Sequence, residues 1–414
     1  MKILLVGNGG REHALAHKMA QNPIVEKIYC SKGNGGTYFE NKCENIDIDD
    51  IDDLINFAQT NNIELTVVGP EKELCEGIVD KFKEKGLRIF GPSKEAAQLE
   101  GSKAFSKDFM KKYGVKTAEY SKFYNLKEAL NYVENCVLPV VIKADGLAAG
   151  KGVVIAEKRE EAIKAVKDFM EDKILGNAGE GLVIEEFLEG VEASILSITD
   201  GEVIIPFISA KDHKAINDGN KGPNTGGMGT IAPNPYCNEE VLKDFTKHIM
   251  IPTLNGIKKE KLDYVGIIFF GIMITKKGIY LLEYNVRMGD PETQVVLPLM
   301  ESDLVELINS AIDKKLKSTK VIFKNQHACC VIASSKGYPI KYEKGFEITG
   351  VNKVKAKTFF AGAEEQNGKL VTNGGRVLGV TTIGETLEEA RYKAYDNINK
   401  IHFDGIYYRK DIGK

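Results

Sequence analysis

The 414-residue chain reads as an α/β protein. It begins with a doubly wound parallel sheet, continues into an α+β region, and ends in a small β-rich domain. Three observations predict this. Apolar, β-branched runs alternate with helical patterns over the first ~90 residues, as in parallel strands joined by crossover helices. Helix and strand then alternate in a compact block over ~121–192, and from Ser194 to ~326 strands come early and helices late. The last ~85 residues hold short strands and one helix. So long a chain exceeds one hydrophobic core, and two to four units are expected. We place them at 1–102, 103–326 and 327–414.

Taken in order, residues 2–7 form a strand, 11–21 a helix and 27–31 a strand. Residues 65–69 and 87–90 repeat the pattern around a helix at 75–85. The turn Gly7-Asn8-Gly9-Gly10 is close to a dinucleotide fingerprint, but Glu12 stands at its third glycine. Tyr29-Cys30-Ser31-Lys32 puts no acid at the end of the second strand, which argues against NAD. The loop still aims backbone amides from a helix N-terminus, a setting for phosphate or carboxylate. Ser102 can cap a helix running through Tyr113, with Phe105, Phe109 and Met110 on one face and Gly114 ending it. Near the end, 328–333, 345–349 and 377–382 are strands and 387–400 a helix.

Composition narrows the function. Lys and Arg number 56 against 59 Asp and Glu, a net charge of −3, with both signs mixed throughout. No dedicated nucleic-acid surface is expected. No apolar stretch approaches membrane-spanning length, and Met1-Lys2-Ile3 leads into a strand rather than a signal peptide. The seven cysteines are scattered without a Cys-x-x-Cys. That fits a reducing cytoplasm, with neither structural disulfides nor zinc.

The most telling stretch is Val140-Val-Ile-Lys-Ala-Asp-Gly-Leu-Ala-Ala-Gly-Lys-Gly-Val-Val-Ile155. Gly146, Gly150 and Gly152 free the backbone to wrap an anion, with Lys143 and Lys151 beside the wrap. A Walker A loop would need glycine at Asp145 and Ser or Thr at Gly152, and the β-branched run that follows is a strand. The segment reads as a glycine hairpin over triphosphate, residues 146–152 acting as a lid; an ordinary flexible hairpin is the competing reading. Glu283 and Asn285 lie two apart in a strand and leave on one face, a donor pair for a hard cation such as Mg²⁺ that also binds phosphate. Arg287, just beyond, can hold a carboxylate or phosphoryl oxygen bidentately. The segment from Glu185-Glu186 to Glu192 is a strand entering an acidic turn. It suits adenine along the backbone and ribose on a carboxylate, or else is a surface charge run. Asp212-His213-Lys214 and 222–229 form polar, glycine-dense loops of the kind that carry function; His213 has no nucleophile context. Thr372-Asn373-Gly374-Gly375-Arg376 is either an anion nest or a plain hairpin turn.

Together and in this order, these pieces resemble the glycinamide ribonucleotide synthetase family of the ATP-grasp superfamily. The likeness spans the chain. Gly7-Asn8-Gly9-Gly10-Arg11-Glu12-His13, Val68-Gly69-Pro70-Glu71 and Leu99-Glu100-Gly101-Ser102-Lys103 carry it. So do the 143–152 loop, Asp212-His213-Lys214, 222–229, Gly289-Asp290-Pro291-Glu292-Thr293 and 372–376. The resemblance implies a pre-ATP-grasp N-terminal domain and a two-lobed ATP-grasp domain whose mobile lobe covers about 121–192. It implies a ligase in purine biosynthesis that phosphorylates glycine with ATP, then passes the acyl group to the amine of 5-phosphoribosylamine.

By the same resemblance Lys103, Lys143, Gly146, Gly150, Lys151, Gly152, Glu185, Glu186, Leu188 and Glu192 bind ATP. Glu283 and Asn285 hold Mg²⁺ or Mn²⁺. Arg287, Asp212, Lys214 and Asp290 serve catalysis, and Gly9, Gly10, Glu12, Asn224, Gly374, Gly375 and Arg376 bind substrate. The expected partners are small molecules, glycine, 5-phosphoribosylamine and ATP, and a cytoplasmic monomer is expected. Two features depart from the pattern. Met288 stands where such chains commonly have phenylalanine, and the strand at 266–274, before the Glu-x-Asn strand, lacks the acid many ATP-grasp enzymes place there, so the ligand set is short. A biotin-carboxylase-like enzyme, another ATP-grasp carboxylate–amine ligase and a noncatalytic nucleotide-binding regulator are the rival readings. The first lacks a biotin-carrier context, and the last would not need the loops at 222–229 and 289–292.

Overall fold

The computed structural model describes residues 1–148 and 151–414. The N-terminal unit contains β1 (Lys2–Gly7), α1 (Gly10–Ala20), β2 (Lys27–Lys32), α2 (Gly35–Phe39), β3 (Cys43–Ile46), α3 (Ile51–Thr60) and β4 (Leu65–Val68). It closes with α4 (Glu71–Glu76), α5 (Ile78–Glu84), β5 (Ile89–Phe90) and α6 (Lys94–Gly101). The strands form a parallel sheet in the order β3-β2-β1-β4-β5. Its centre, Ile3, Leu4, Leu5 and Leu65, is wholly buried, because helices cover both faces of such a sheet. The single helix expected over 75–85 is two helices. Gly77 lies between them at φ +93, a left-handed conformation that glycine adopts without strain. The strand expected over 87–90 shortens to Ile89–Phe90.

Helix α7 (Lys103–Tyr113) is bounded as its residues dictate. Ser102 accepts the Phe105 N–H through its side chain, and Gly114 closes the helix at φ +69. A separate lobe follows, with β6 (Tyr120–Phe123), α8 (Leu126–Asn135), β7 (Val140–Ala144), β8 (Val153–Ala156), α9 (Arg159–Met170) and β9 (Leu182–Glu186). Its antiparallel sheet runs β6-β9-β7-β8 over a core that includes Val133, Ile142, Phe169 and Ile184.

Next come β10 (Val191–Thr199), β11 (Ile204–Pro206), β12 (Lys211–Asp212), β13 (Ala215–Asn217), β14 (Lys221–Asn224) and β15 (Gly229–Ala232). They precede α10 (Glu239–Phe245), α11 (Ile251–Glu260), β16 (Gly266–Thr275), β17 (Gly278–Asn285), α12 (Thr293–Leu299) and α13 (Leu304–Ile312). Strands early and helices late is therefore only half the pattern. The long pair β16 and β17 comes after two helices and completes the sheet β11-β10-β16-β17. Both strands stand where the sequence reads them, at 266–274 and through Glu283 and Asn285.

The chain ends with β18 (His327–Ser335), β19 (Lys357–Phe360), β20 (Ala363–Gln366), β21 (Lys369–Thr372), β22 (Arg376–Gly384), α14 (Leu387–Ile398) and β23 (Ile406–Tyr407). The sheet β12-β15-β18-β22-β19 borrows β12 and β15 from the middle of the chain, and β23 pairs with β18. The strand expected at 345–349 contributes only isolated pairings, of Glu347 with Val371 and of Thr349 with His402. The hairpin reading of 372–376 fails. β21 pairs with β20, whereas β22 pairs with β18 and β19, so Asn373-Gly374-Gly375 crosses between two sheets. Among the described residues no helix is long and apolar enough to cross a membrane.

Candidate active site

A cleft of about 510 Å³ lies between the lobe sheet and the β10–β17 sheet, walled by α7, β9 and β17. Strand β17 supplies Glu283 and Asn285 by an irregularity. Gly271 faces Glu283 while Ile272 faces Leu281, so Leu282 is an extra residue in the ladder. Leu281 and Tyr284, three apart, are both buried. In a regular strand they would point to opposite faces, and Glu283 would join Leu281 in the core. The bulge flips the alternation and turns Glu283 and Asn285 into the cleft. The freed Leu282 carbonyl accepts from Lys143 Nζ at 3.3 Å.

Charge in the cleft is organised around Glu283. Burial alone would push its carboxyl up, but Lys214, Lys143 and Lys103 hold it below the usual carboxylate range. Lys103 Nζ reaches the Gly146 carbonyl at 3.5 Å, and burial pulls its pKa down against the attraction of Glu283. Glu185 is buried between two ammonium groups, Lys143 at 2.9 Å and Lys107 at 3.0 Å. Burial pulls Lys107 down to about 8 against the Glu185 charge. Lys107 was missed from the sequence, although it sits one helical turn after Lys103 on the same face.

The glycine loop is anchored at its base. Asp145 Oδ1 accepts from Ser102 Oγ at 2.9 Å and from the Ala104 N–H at 2.7 Å, tying the loop to the start of α7. The Gly146 N–H donates to Ala178 O at 3.2 Å. Leu147, Ala148 and Gly152 line the cleft; Gly146 and the exposed Lys151 do not. Gly150 lies outside the described residues, and the lid reading of 146–152 rests partly on it. Glu186, Leu188 and Glu192 line the far end. There Lys214 Nζ meets Glu192 at 2.6 Å, and that carboxylate raises the lysine's pKa.

Arg287 is gripped by acids from the N-terminal unit. Its Nε lies 3.1 Å from Glu71 and its Nη2 2.8 Å from Glu100, while Nη2 also donates to Asn285 Oδ1 at 3.0 Å. Burial pushes Glu100 up to about 7, with Arg287 opposing. Glu71 and Glu100 belong to segments the sequence singled out, but nothing in their spacing tells that they fold onto an arginine some two hundred residues away. Asp212 is pushed up by burial and by nearby Glu292. His213 is structural: its Nδ1 bonds Gly229 O at 3.1 Å, and its Nε2 accepts the Gly413 N–H at 3.4 Å. Burial lowers it to about 4, so the ring is neutral.

A second cavity, about 540 Å³, adjoins the first. Gly9, Asn34, Glu364, Gly375 and Arg376 line it, so the two ends of the chain meet there. Asp290 and Arg376 belong to the walls of both cavities. Arg376 Nη1 donates to Gly226 O at 2.5 Å and to Asp290 O at 2.8 Å, and Nη2 lies 3.3 Å from Asp290 Oδ1. Burial alone would raise the Asp290 carboxyl, but Arg376 and Arg11 hold it low. Asn224 lies on the cleft side. Three expected substrate contacts fall elsewhere. Glu12 is buried under its own loop, accepting from Gly9 N–H at 2.6 Å and Arg11 Nε at 2.5 Å. Gly10 begins α1 behind that loop, and Gly374 packs against Gly362.

Two antiparallel sheets closing on a lysine-lined cleft, joined to a parallel N-terminal sheet, define an ATP-grasp protein. The phosphoribosylglycinamide synthetase models match in three parts, the N domain over residues 1–100, the ATP-grasp (A) domain over 101–293 and the C domain over 328–414. This chain belongs to the phosphoribosylglycinamide synthetase family. It is 64% identical over 414 residues to the phosphoribosylamine–glycine ligase of Clostridium acetobutylicum, covering all of both chains. It is 56% identical over 418 residues to the ligase of the same name from Fusobacterium nucleatum, covering all of this chain and 98% of that one. Among solved structures, the Thermotoga maritima phosphoribosylamine–glycine ligase superposes with a TM-score of 0.88 at 36% identity over both full lengths. The biotin carboxylase domain of the Hydrogenobacter thermophilus 2-oxoglutarate carboxylase shares the fold, with a TM-score of 0.74 at 17% identity, covering 98% of this chain and 91% of that one.

Proposed function

We propose that this chain joins glycine to 5-phosphoribosylamine at the expense of ATP, giving glycinamide ribonucleotide, ADP and phosphate for purine biosynthesis in the cytoplasm. One observation carries the reading. The lysine-lined cleft and the cavity between the chain's two ends share Asp290 and Arg376, so a nucleotide in one and a phosphorylated amine in the other would meet at a common wall.

The chemistry then follows from the residue types. Lys103 and Lys143 neutralise the triphosphate beside Leu147, Ala148 and Gly152, and backbone along Glu185, Glu186 and Leu188 receives adenine. Glu192 takes the ribose hydroxyls. Glu283, kept anionic by three lysines, its carboxylate accepting no hydrogen bond among the described residues, and the amide oxygen of Asn285 fit a hard cation. No cluster of three or more His, Cys, Asp or Glu disposed to hold a metal occurs among the described residues, so that pair would share the cation with phosphate oxygens and water. Such a cation, Mg²⁺ or Mn²⁺, neutralises charge on the transferring phosphoryl group. Arg287, fixed by Glu71 and Glu100, steadies the glycyl phosphate. Asp212, Lys214 and Asp290 border the place where the amine attacks its carbonyl carbon and phosphate leaves. A mixed anhydride hydrolyses in water, which is why reaction belongs in a closed cleft.

The test is product analysis with ATP, glycine and freshly prepared phosphoribosylamine, run beside ATP with biotin and bicarbonate. Glycinamide ribonucleotide and stoichiometric ADP in the first mixture alone are expected. ADP formed only with biotin and bicarbonate would replace this reading with the carboxylase one.

A further inference from the structure

We propose that the C-terminal tail, anchored by Arg409, positions the β13–β14 hairpin and through it sets Lys214 and Asn224 at the cleft. This rests on the ligase reading for what the cleft does. Among the described residues β13 and β14 pair only with each other, and β14 is exposed along its length. A lone two-stranded hairpin is marginal in water, so something else must hold it.

The tail supplies the support. Arg409 is 1% exposed, and its donors are spent in one place. Nη1 donates to Ala215 O at 3.0 Å, Nη2 to Asn220 Oδ1 at 3.0 Å, and Nε and Nη2 each reach Asp411 at 2.8 Å. Asp411 Oδ2 in turn accepts the Gly219 N–H at 2.7 Å, and the Lys410 N–H donates to Asp218 Oδ1 at 2.8 Å. A buried guanidinium persists only when its charge and donors are met, so this cluster fixes the hairpin as one unit, from Ala215 at its base to the turn at 218–220. The base opens on the cleft. There the Thr225 N–H and Oγ1 donate to Lys214 O at 2.8 and 2.7 Å, closing the hairpin base beside Asn224. Arg409 lines neither cavity; it acts through the hairpin and is a positioning residue.

The experiment compares the full-length protein with Arg409→Ala and Asn220→Gly in steady-state ligase kinetics, ADP titration and trypsin digestion at Lys221. Asn220 has φ +55, where glycine is unstrained, so the second variant removes the amide without threatening the fold. For Arg409→Ala we expect kcat to fall roughly 10- to 100-fold, as displacement of catalytic groups by about an ångström does. Asn220→Gly should lose several-fold. ADP affinity should stay within about threefold, because Lys103, Lys143 and β9 do not depend on the tail, and Lys221 should be cut faster in both variants. Wild-type kcat in either folded variant would overturn the proposal, as would parallel losses of kcat and ADP affinity. If Arg409→Ala does not fold, Asn220→Gly decides alone. A wild-type protein without ligase turnover would sink the ligase reading only; the tail clamp would then stand or fall on whether Lys221 is cut faster in Asn220→Gly.

Discussion

Lys143 donates from Nζ to the carbonyl of Leu282 at 3.3 Å, and Leu282 is the one residue by which β17 outruns β16. The lobe that carries the glycine loop thus touches the irregularity that exposes Glu283 and Asn285. If the pair has the role proposed, Glu283→Gln keeps the shape and removes the charge that three lysines surround. Turnover should fall by at least ~10²-fold with the fold intact, as loss of a metal clamp on phosphate implies. Near-normal turnover at low Mg²⁺, beside an unchanged melting curve, would remove Glu283 from the metal site.

Deleting Leu282 tests the bulge itself. Without the extra residue Glu283 follows Leu281 directly, and alternation puts it on the opposite face, toward the cleft with Asn285. Nucleotide-dependent stabilisation should therefore persist although the Lys143 contact with Leu282 is gone. The readout is the melting-temperature shift on adding ATP and Mg²⁺. Loss of that shift would show that the ligands need the extra residue itself and not only the alternation it sets.

Arg376 links the two cavities through Gly226 and Asp290. Arg376→Ala should weaken phosphoribosylamine by about 1.5–3 kcal/mol, the range for hydrogen bonds to a charged group, and leave the KM values for ATP and glycine nearly unchanged. Weaker ATP with phosphoribosylamine spared would move the phosphate pocket away from Gly375 and Arg376.

The N-terminal and C-terminal units meet at His13, whose Nδ1 accepts the Phe360 N–H at 2.9 Å while Nε2 lies 3.3 Å from Glu40. The accepting Nδ1 leaves the proton on Nε2, so three donors, His13, His17 and Lys357, converge on one carboxylate. Burial lowers His13 below its ordinary 6.5, with Glu40 opposing. Below pH 6.5 the unfolded chain therefore takes up a proton that the fold resists, and stability drops as pH falls. Burial alone would raise Glu40, yet its two histidines and Lys357 hold it well below the ordinary 4.5, so its contribution is lost at still lower pH. Melting temperature should decline from pH 7 to 5, and His13→Asn should flatten that slope. An identical slope in the variant would place the titrating group elsewhere.

Gly69 lets Glu12 fit. A Cβ there would stand 1.9 Å from Glu12 Oε1, a carboxylate already fixed by Gly9 and Arg11. Gly69→Ala should cost about 1–3 kcal/mol in denaturant unfolding, the range for overpacking a tight site. A cost below a few tenths would mean the Glu12 side chain simply moves aside.

Local chemistry settled much of this protein in the sequence. The parallel N-terminal sheet, the Ser102 cap and Gly114 stop of α7, and the antiparallel strands around the glycine loop follow from periodicity, capping and β-branching. Those signals act between near neighbours and need no partner. The Glu-x-Asn pair was legible too, but its face was not. Alternation counted from Leu281 points Glu283 into the core, and only pairing with β16 reveals the bulge. Likewise Asn-Gly at 373–374 carries a hairpin signal, but the flanking strands found better partners in different sheets. Glu71 and Glu100 on Arg287, Lys107 on Glu185, and Arg409 beneath the β13–β14 hairpin join residues from distant parts of the chain or from separate elements. Burial makes such charges costly alone and stable only together, and which charges are buried together is set by packing rather than by sequence spacing.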